Sequence, residues 1–309
     1  MKKSIVFIML IILPSGVLGN PITLPKLPAI DYFRSTAGER LFFCYQELHK
    51  GSFYIDNDFR LYNSNKYWNN SGKKYDHSKH TRLINIISIK YSPISKTQFS
   101  IRVPYVYLNN QLQKYGLSDI FLGVSYEITQ FLNNKIYLSS GVKIPTGYYD
   151  EYDEEKLPLG TGSFDIPFIL NSDLNIKNNL LFFDVGYIFI GDSKVSHKKI
   201  LPPYHPPYNI VLEGAKRNNG DEIFCDIAII KRLEEVAFKF EMNYYYVFDS
   251  SISGKPRSND SHSKFSVTPG LIFSPKFKNI KLEFGFSYDL AGKNNFSGYS
   301  PVIRIHYNK

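Results

Sequence analysis

The feature that most constrains this chain is a two-residue rhythm. In "KIYLSSGVKI" (residues 135–144) Ile136, Leu138, Val142 and Ile144 share one side of an extended backbone, and Tyr137, Ser139, Gly141 and Lys143 share the other. "LLFFDVGYIFI" sets Leu181, Phe183, Val185, Tyr187 and Phe189 against Phe182, Asp184 and Gly186. "VAFKFEMNYYYVF" and "IKLEFGFSYDL" repeat the pattern, with Lys239, Glu241, Lys281, Glu283 and Asp289 on their polar sides. Successive side chains of a strand point to opposite faces, so each segment predicts a sheet surface oily on one side and wet on the other. Helical periodicity is hard to find beyond the first residues.

About twelve such segments follow one another. The predicted spans are 39–50, 80–91, 97–108, 119–130, 135–146, 163–174, 180–190, 220–231, 236–248, 263–274, 280–290 and 299–308. Most are longer than the usual strand of a globular sheet and near the length a tilted strand needs to cross a bilayer. Their links alternate too. Short turns fall at 92–96, 131–134, 175–179, 232–235 and 274–279, and longer links at 51–79, 109–118, 147–162, 191–219 and 249–262. Only the last link, "AGKNNFSG", is short where a long one is due. A soluble sandwich does not need long strands with such unequal turns. Unpaired backbone is costly in lipid, so the predicted fold is all-β: a closed antiparallel transmembrane β-barrel of about twelve strands, with short periplasmic turns and long extracellular loops. Tyr91, Tyr105, Tyr107, Tyr126, Phe131, Tyr148, Tyr187 and Phe273 lie near strand ends, where an aromatic girdle belongs.

The first residues fit export to such a membrane. Lys2 and Lys3 precede an apolar run from Ile5 to Leu13, and small residues end at Gly19, so 1–19 reads as a signal peptide. Residues 20–38 read as a Pro-rich tail and 39–309 as the barrel. The formal charge is +9, or +7 without Lys2 and Lys3, and in an exported chain it suits anionic lipid head groups or solutes better than nucleic acid. With only Cys44 and Cys225, disulfides do not frame the fold; the pair reads as two free thiols.

Four stretches carry a resemblance. "IRVPYVYL", "GLSDIFLGVSYEI", "GVKIPTG" and "LPLGTGSFDIPFIL" follow in that order within residues 99–190. This succession resembles the outer-membrane family known as putative MetA-pathway of phenol degradation proteins. Ser118 stands where that family usually has the second Gly of a Gly-x-Gly-Asp element. The resemblance implies a barrel passing small hydrophobic or aromatic compounds across the outer membrane. Barrels of this type often end on an aromatic residue, whereas here Tyr307 is followed by two polar residues.

Inward-pointing candidates for the lumen are Arg102, Glu127, Lys143, Asp165, Asp184, Asp226, Lys239, Glu241, Lys281, Glu283, Asp289 and Arg304. Mixed signs on neighbouring strands predict ion pairs that stiffen the wall, or a polar constriction that sorts solutes. Asp150, Glu151, Asp153, Glu154 and Glu155 read as a solvated loop tip rather than a cation site. None of the seven His residues sits in a hydrolase or zinc-peptidase motif, so no catalysis, metal or cofactor is expected. "LPPYHPPYNI" (201–210) reads as a stiff gate or contact loop. "KYWNNSGKKYDHSKH" (66–80) suits lipopolysaccharide phosphates. The expected partners are outer-membrane lipid, lipopolysaccharide and a small-molecule solute. The rival to a channel is a structural or surface-recognition barrel with a closed lumen.

Overall fold

The structure is a computed structural model. It describes residues 50–109, 114–131, 134–148, 159–176, 179–194, 199–200, 210–211, 214–233, 236–256, 260–274 and 279–308. The expected signal peptide and tail lie outside these residues, as does the strand expected at 39–50 apart from Lys50, which sits in a turn.

Twelve strands of the main sheet form the barrel wall. They are β1 (Phe53–Trp68), β2 (Lys74–Ile94), β3 (Thr97–Asn109), β4 (Ile120–Phe131), β5 (Asn134–Ile144) and β6 (Asp165–Ile176). Then come β7 (Asn179–Ile190), β8 (Glu222–Arg232), β9 (Val236–Val247), β10 (His262–Phe273), β11 (Ile280–Lys293) and β12 (Asn295–Asn308). Each pairs antiparallel with its sequence neighbour, and β1 closes the ring on β12, from Tyr54 opposite Asn308 to Trp68 opposite Asn295. A closed ring leaves no unpaired edge, the condition for crossing lipid with strands. A short strand, Lys114–Leu117, pairs with the far end of β3 just ahead of β4.

One expectation needs correcting. The link expected at 51–79 contains β1 and the start of β2, which extends back to Lys74. Its turn is tight: Asn69 Oδ1 accepts the N–H groups of Ser71 and Lys73, and Gly72 takes φ +75°. The β11–β12 link is shorter still, Asn294 alone at φ 47°. The long links carry extra structure: Asp192–Lys194, Lys216–Asn218, Ser251–Ile252 and Lys255–Pro256 join into a four-stranded sheet at the long-loop end.

Exposure decides which face meets lipid. Phe238, Phe284 and Val185, which two stacked sheets would bury, are 53%, 44% and 40% exposed. Their strand neighbours Lys239 and Glu283 are buried. The apolar stripes therefore form the outside and the charged side chains the inside, the arrangement of an outer-membrane barrel. Tyr91, Tyr126 and Phe273 are exposed at the short-turn end, as a girdle requires. Tyr107 departs from that expectation: flanked in register by Leu83 and Tyr115, it is buried.

Candidate functional site: the barrel interior

Three structures share the inner face. The first is an ion network. On β1 the inward residues Asp56, Asp58 and Arg60 alternate with outward ones, and strand register sets Asp56 opposite His306 and Asp58 opposite Arg304. Arg304 donates to Glu283 on β11 at 2.9 Å and to Asp58 at 3.2 Å, and Arg60 donates to Asp58 at 2.7 Å. Lys90 on β2 pairs with Asp56, which also meets His306 at 2.8 Å. Lys239 on β9 reaches Glu283 at 2.7 Å, past the whole of β10. It can do so because Gly270 lies opposite Lys239 and Gly285 opposite Gly270, so no side chain stands in the way. Asn243 extends the network by donating to Asp226 and Glu241, both at 2.6 Å. Desolvated charges are tolerable only when opposite charges or hydrogen-bond donors stand beside them.

The second is an apolar belt towards the long-loop end. Phe121, Ile169, Ile188, Ile190, Phe224, Tyr245 and Val247 pack together on the inner faces of β4 and β6–β9. Ile84, Ile86, Val106 and Leu108 form a second patch on β2 and β3, joined by Leu159 from the β5–β6 link. Gly186 is part of this packing: a Cβ there would come within 2.5 Å of the Phe224 ring. A smaller cluster, Leu180, Phe182, Ala228, Ile230 and Ile272, lies nearer the short turns. A polar lumen was expected, and these apolar clusters qualify that expectation. Their strands are oily on both faces, and their inner apolar side chains gain burial from one another rather than from lipid.

The third structure gathers the residues of the four quoted motifs. Asp119 accepts the N–H of Gly147 at 3.0 Å, and the N–H and hydroxyl of Thr161 at 2.8 and 3.1 Å. Lys143 stands 3.4 Å from Asp119 and pairs with both Asp165 and the Thr161 hydroxyl. Ser163 donates to Asp165 at 2.7 Å, Thr146 to the Ser118 carbonyl at 2.9 Å, and Ser118 to the Leu159 carbonyl. Gly160 has no tolerance for a side chain, since a Cβ would lie 2.2 Å from Asp119 Oδ1, and Gly162 adopts φ +72°. The motifs therefore build a latch that ties both ends of the β5–β6 link to the inner wall and directs Leu159 inwards.

Of the twelve residues singled out from the sequence, ten are buried: Arg102, Glu127, Lys143, Asp165, Asp184, Lys239, Glu241, Glu283, Asp289 and Arg304. Asp226 and Lys281 are partly buried. Lys239, Glu241, Glu283, Arg304 and Asp226 belong to the ion network, and Lys143 and Asp165 to the latch. Asp289 accepts from Ser266 at 2.8 Å and from Tyr62 at 2.9 Å, and Glu127 lies 3.6 Å from Lys135. Sequence reasoning missed Asp56, Asp58, Arg60, Lys90, Asp119 and His306; the alternation of Asp56, Asp58 and Arg60 was the available signal.

The acidic tip at 150–155 and the Pro-rich stretch at 201–209 lie outside the described residues, with His49, His197, His205 and Cys44. Cys225, on β8, is partly buried. Among the described residues, no group of three or more His, Cys, Asp or Glu is placed to hold a metal ion.

Comparison with known proteins agrees with this architecture. The family described as "Putative MetA-pathway of phenol degradation" matches residues 87–305. No curated protein matches the chain. Among solved structures, the chain is similar to an outer membrane channel from Pseudomonas putida F1. The identity is 14% and the TM-score 0.69, over 86% of this chain and 98% of that one. The translocator domain of autotransporter NalP from Neisseria meningitidis gives 11% identity and a TM-score of 0.48, over 84% of this chain and 88% of that one. The NanC porin gives 8% and 0.45, over 82% and 98%.

Proposed function

The chain belongs to the family described as "Putative MetA-pathway of phenol degradation", and from that premise we propose that it is a passive outer-membrane channel for small, largely apolar organic molecules. The observation that carries this reading is the apolar belt on the inner wall, which spans β2–β4 and β6–β9. A pore for ions or sugars gains nothing from Phe121, Ile188 and Phe224 inside. A solute with an apolar body exchanges water for these side chains at a gain of about 25 cal/mol per Å². The similar structure from Pseudomonas putida F1 is described as an outer membrane channel, which supports the channel part of the reading. The inward charged residues then act as a polar constriction below the belt, with Lys239, Glu283 and Arg304 at its centre.

The test uses cells with an intact lipopolysaccharide leaflet, which is the barrier such a solute meets. Expression of the protein is expected to speed entry of benzamide severalfold and to leave entry of a sugar of equal size unchanged. Equal acceleration of both, or of neither, would contradict the reading.

A second reading is favoured by one observation: Lys90, Arg102 and Arg304 are at most 1% exposed. A surface-recognition barrel with a closed lumen would need no open passage past them. It predicts no acceleration of either solute. At the long-loop end, Lys73 lies 5.5 Å over the Tyr75 ring and Lys74 4.9 Å over Trp68. We take this basic, aromatic hairpin tip to contact lipopolysaccharide phosphates, with residues 1–19 serving export.

A further inference from the structure

The lipid-facing wall carries one polar feature that a channel does not need. Asp56, Asp58 and Arg60 point inwards on β1, so Asn57 between them points out. On β2, Ile84, Ile86 and Ser88 are buried within, so Asn85 points out as well. The two side chains meet across the strands: Asn85 Nδ2 donates to Asn57 Oδ1 at 2.6 Å. Register sets them inside the apolar band. Asn57 lies opposite Ile305 on β12 and Ile87 on β2, and Asn85 lies opposite Phe59 and Tyr105. Between Tyr91, at the short-turn end, and Thr81, the outward residues of β2 are Ile89, Ile87, Asn85 and Leu83. The amide pair therefore falls near the middle of the stripe.

An asparagine side chain has two N–H donors and an accepting carbonyl oxygen. The bond between the pair uses one donor and one acceptor. Among the described residues, the N–H groups of Asn57 Nδ2, the second N–H of Asn85 and its Oδ1 have no partner. Hydrocarbon offers none, and an amide left unbonded in lipid is costly. Ser140 and Thr81, also on the outer face, avoid that cost. Ser140 donates to the Pro167 carbonyl at 2.8 Å, and Thr81 to Asn63 at 3.0 Å.

The relief around the pair suits a matching surface. Ile55, Phe59 and Leu61, the outward neighbours of Asn57 on β1, are half-buried. Ile87 and Ile89 on one flank and Ile303 on the other are exposed. The outer face of β1 is thus a shallow trough between two apolar ridges, with the amides on its floor.

We propose that the outer wall of β1 and β2 is the contact face of a dimer, and that its occupant is a second copy of this chain. A two-fold axis along the membrane normal presents the same trough, ridges and amide pair at the same depth. The unused donors of Asn57 and the unused carbonyl of Asn85 in one copy then meet those of the other. The amide pair is self-complementary, since each member both donates and accepts. Apolar contact alone would not hold two barrels together, because lipid chains cover the ridges equally well. The amides tip the balance. A polar partner at this depth restores their hydrogen bonds, and a second copy brings one by symmetry. Nothing in this contact depends on what passes through the lumen.

The test is photo-cross-linking of the full-length protein in intact outer membranes. A p-benzoylphenylalanine replaces either Ile87, beside the amide pair, or Ile229, an exposed residue of β8 on the far side of the ring. Position 87 is expected to give an adduct of twice the chain's mass, and position 229 to give none. Adding Asn57→Leu and Asn85→Leu together is expected to lower the yield from position 87 about tenfold, the loss of one or two hydrogen bonds in lipid. Leucine suits the apolar band at both positions, and heat-modifiable migration on gels confirms that the variant is folded. No adduct from position 87, an adduct there with lipopolysaccharide or a different protein alone, or equal yields from both positions would overturn the inference. So would a yield that the double substitution leaves unchanged.

Discussion

The inner wall holds two regions that are equally buried and oppositely built. Around β1, β2, β9, β11 and β12, Lys90, Asp56, His306, Glu283, Arg304, Asp58 and Lys239 are linked by contacts of mixed sign. Across β4 and β6–β9, Phe121, Ile169, Ile188 and Phe224 touch only through apolar surface. The difference teaches what each region can tolerate. An ion network has no spare parts, because removing one member strands the others in a poorly solvated place. An apolar belt loses only contact area and a cavity, and a solute can fill that cavity.

The largest effect is expected at Glu283, which meets Lys239, Arg304 and His306. Glu283→Leu leaves the Lys239 and Arg304 cations without their shared carboxylate, and denaturant unfolding in detergent is expected to show a loss of about 3–5 kcal/mol. A loss below about 1 kcal/mol would show that the network is ornamental. Lys143→Met is expected to cost about 3 kcal/mol by stranding Asp119 and Asp165 in the latch. It should also make the β5–β6 link more sensitive to protease, while a variant as resistant as the wild type would refute the latch. The smallest effect belongs to the belt. Ile188→Ala is expected to lose about 2 kcal/mol and to raise benzamide entry. If Ile188→Ala costs as much as Glu283→Leu, the contrast between the regions fails.

Much of the barrel was legible because β3 to β12 keep apolar residues on the lipid side and set at least some polar ones within. β1 was not. Asn57 interrupts its outward stripe of Phe53, Ile55, Phe59 and Leu61, while Tyr54 and Tyr62 fill inward positions, so its two faces look alike in sequence. The long extension of β2, "KYDHSKHTR", is polar because that part of the strand lies at the long-loop end and needs no apolar face. The ion network was half legible: the parity of Lys239, Glu283 and Arg304 placed them inside, but their meeting depends on register and on Gly270. The latch was hidden for the same reason. Asp119, Lys143 and Asp165 belong to three separate segments, and only strand pairing brings them to one point. The apolar belt was faint in sequence: parity in β7 put Ile188 and Ile190 on the side of Asp184 and Gly186, but a strand greasy on both faces gives little contrast to read.

The most direct test asks which face touches hydrocarbon. With Trp68→Phe as background, single tryptophans placed by Phe284→Trp and Ser287→Trp probe opposite faces of β11 in bilayers with brominated acyl chains. Strong quenching at position 284 and little at 287 is the expected result. Equal quenching at both positions, or the reverse order, would contradict a closed barrel with its oily side turned outwards.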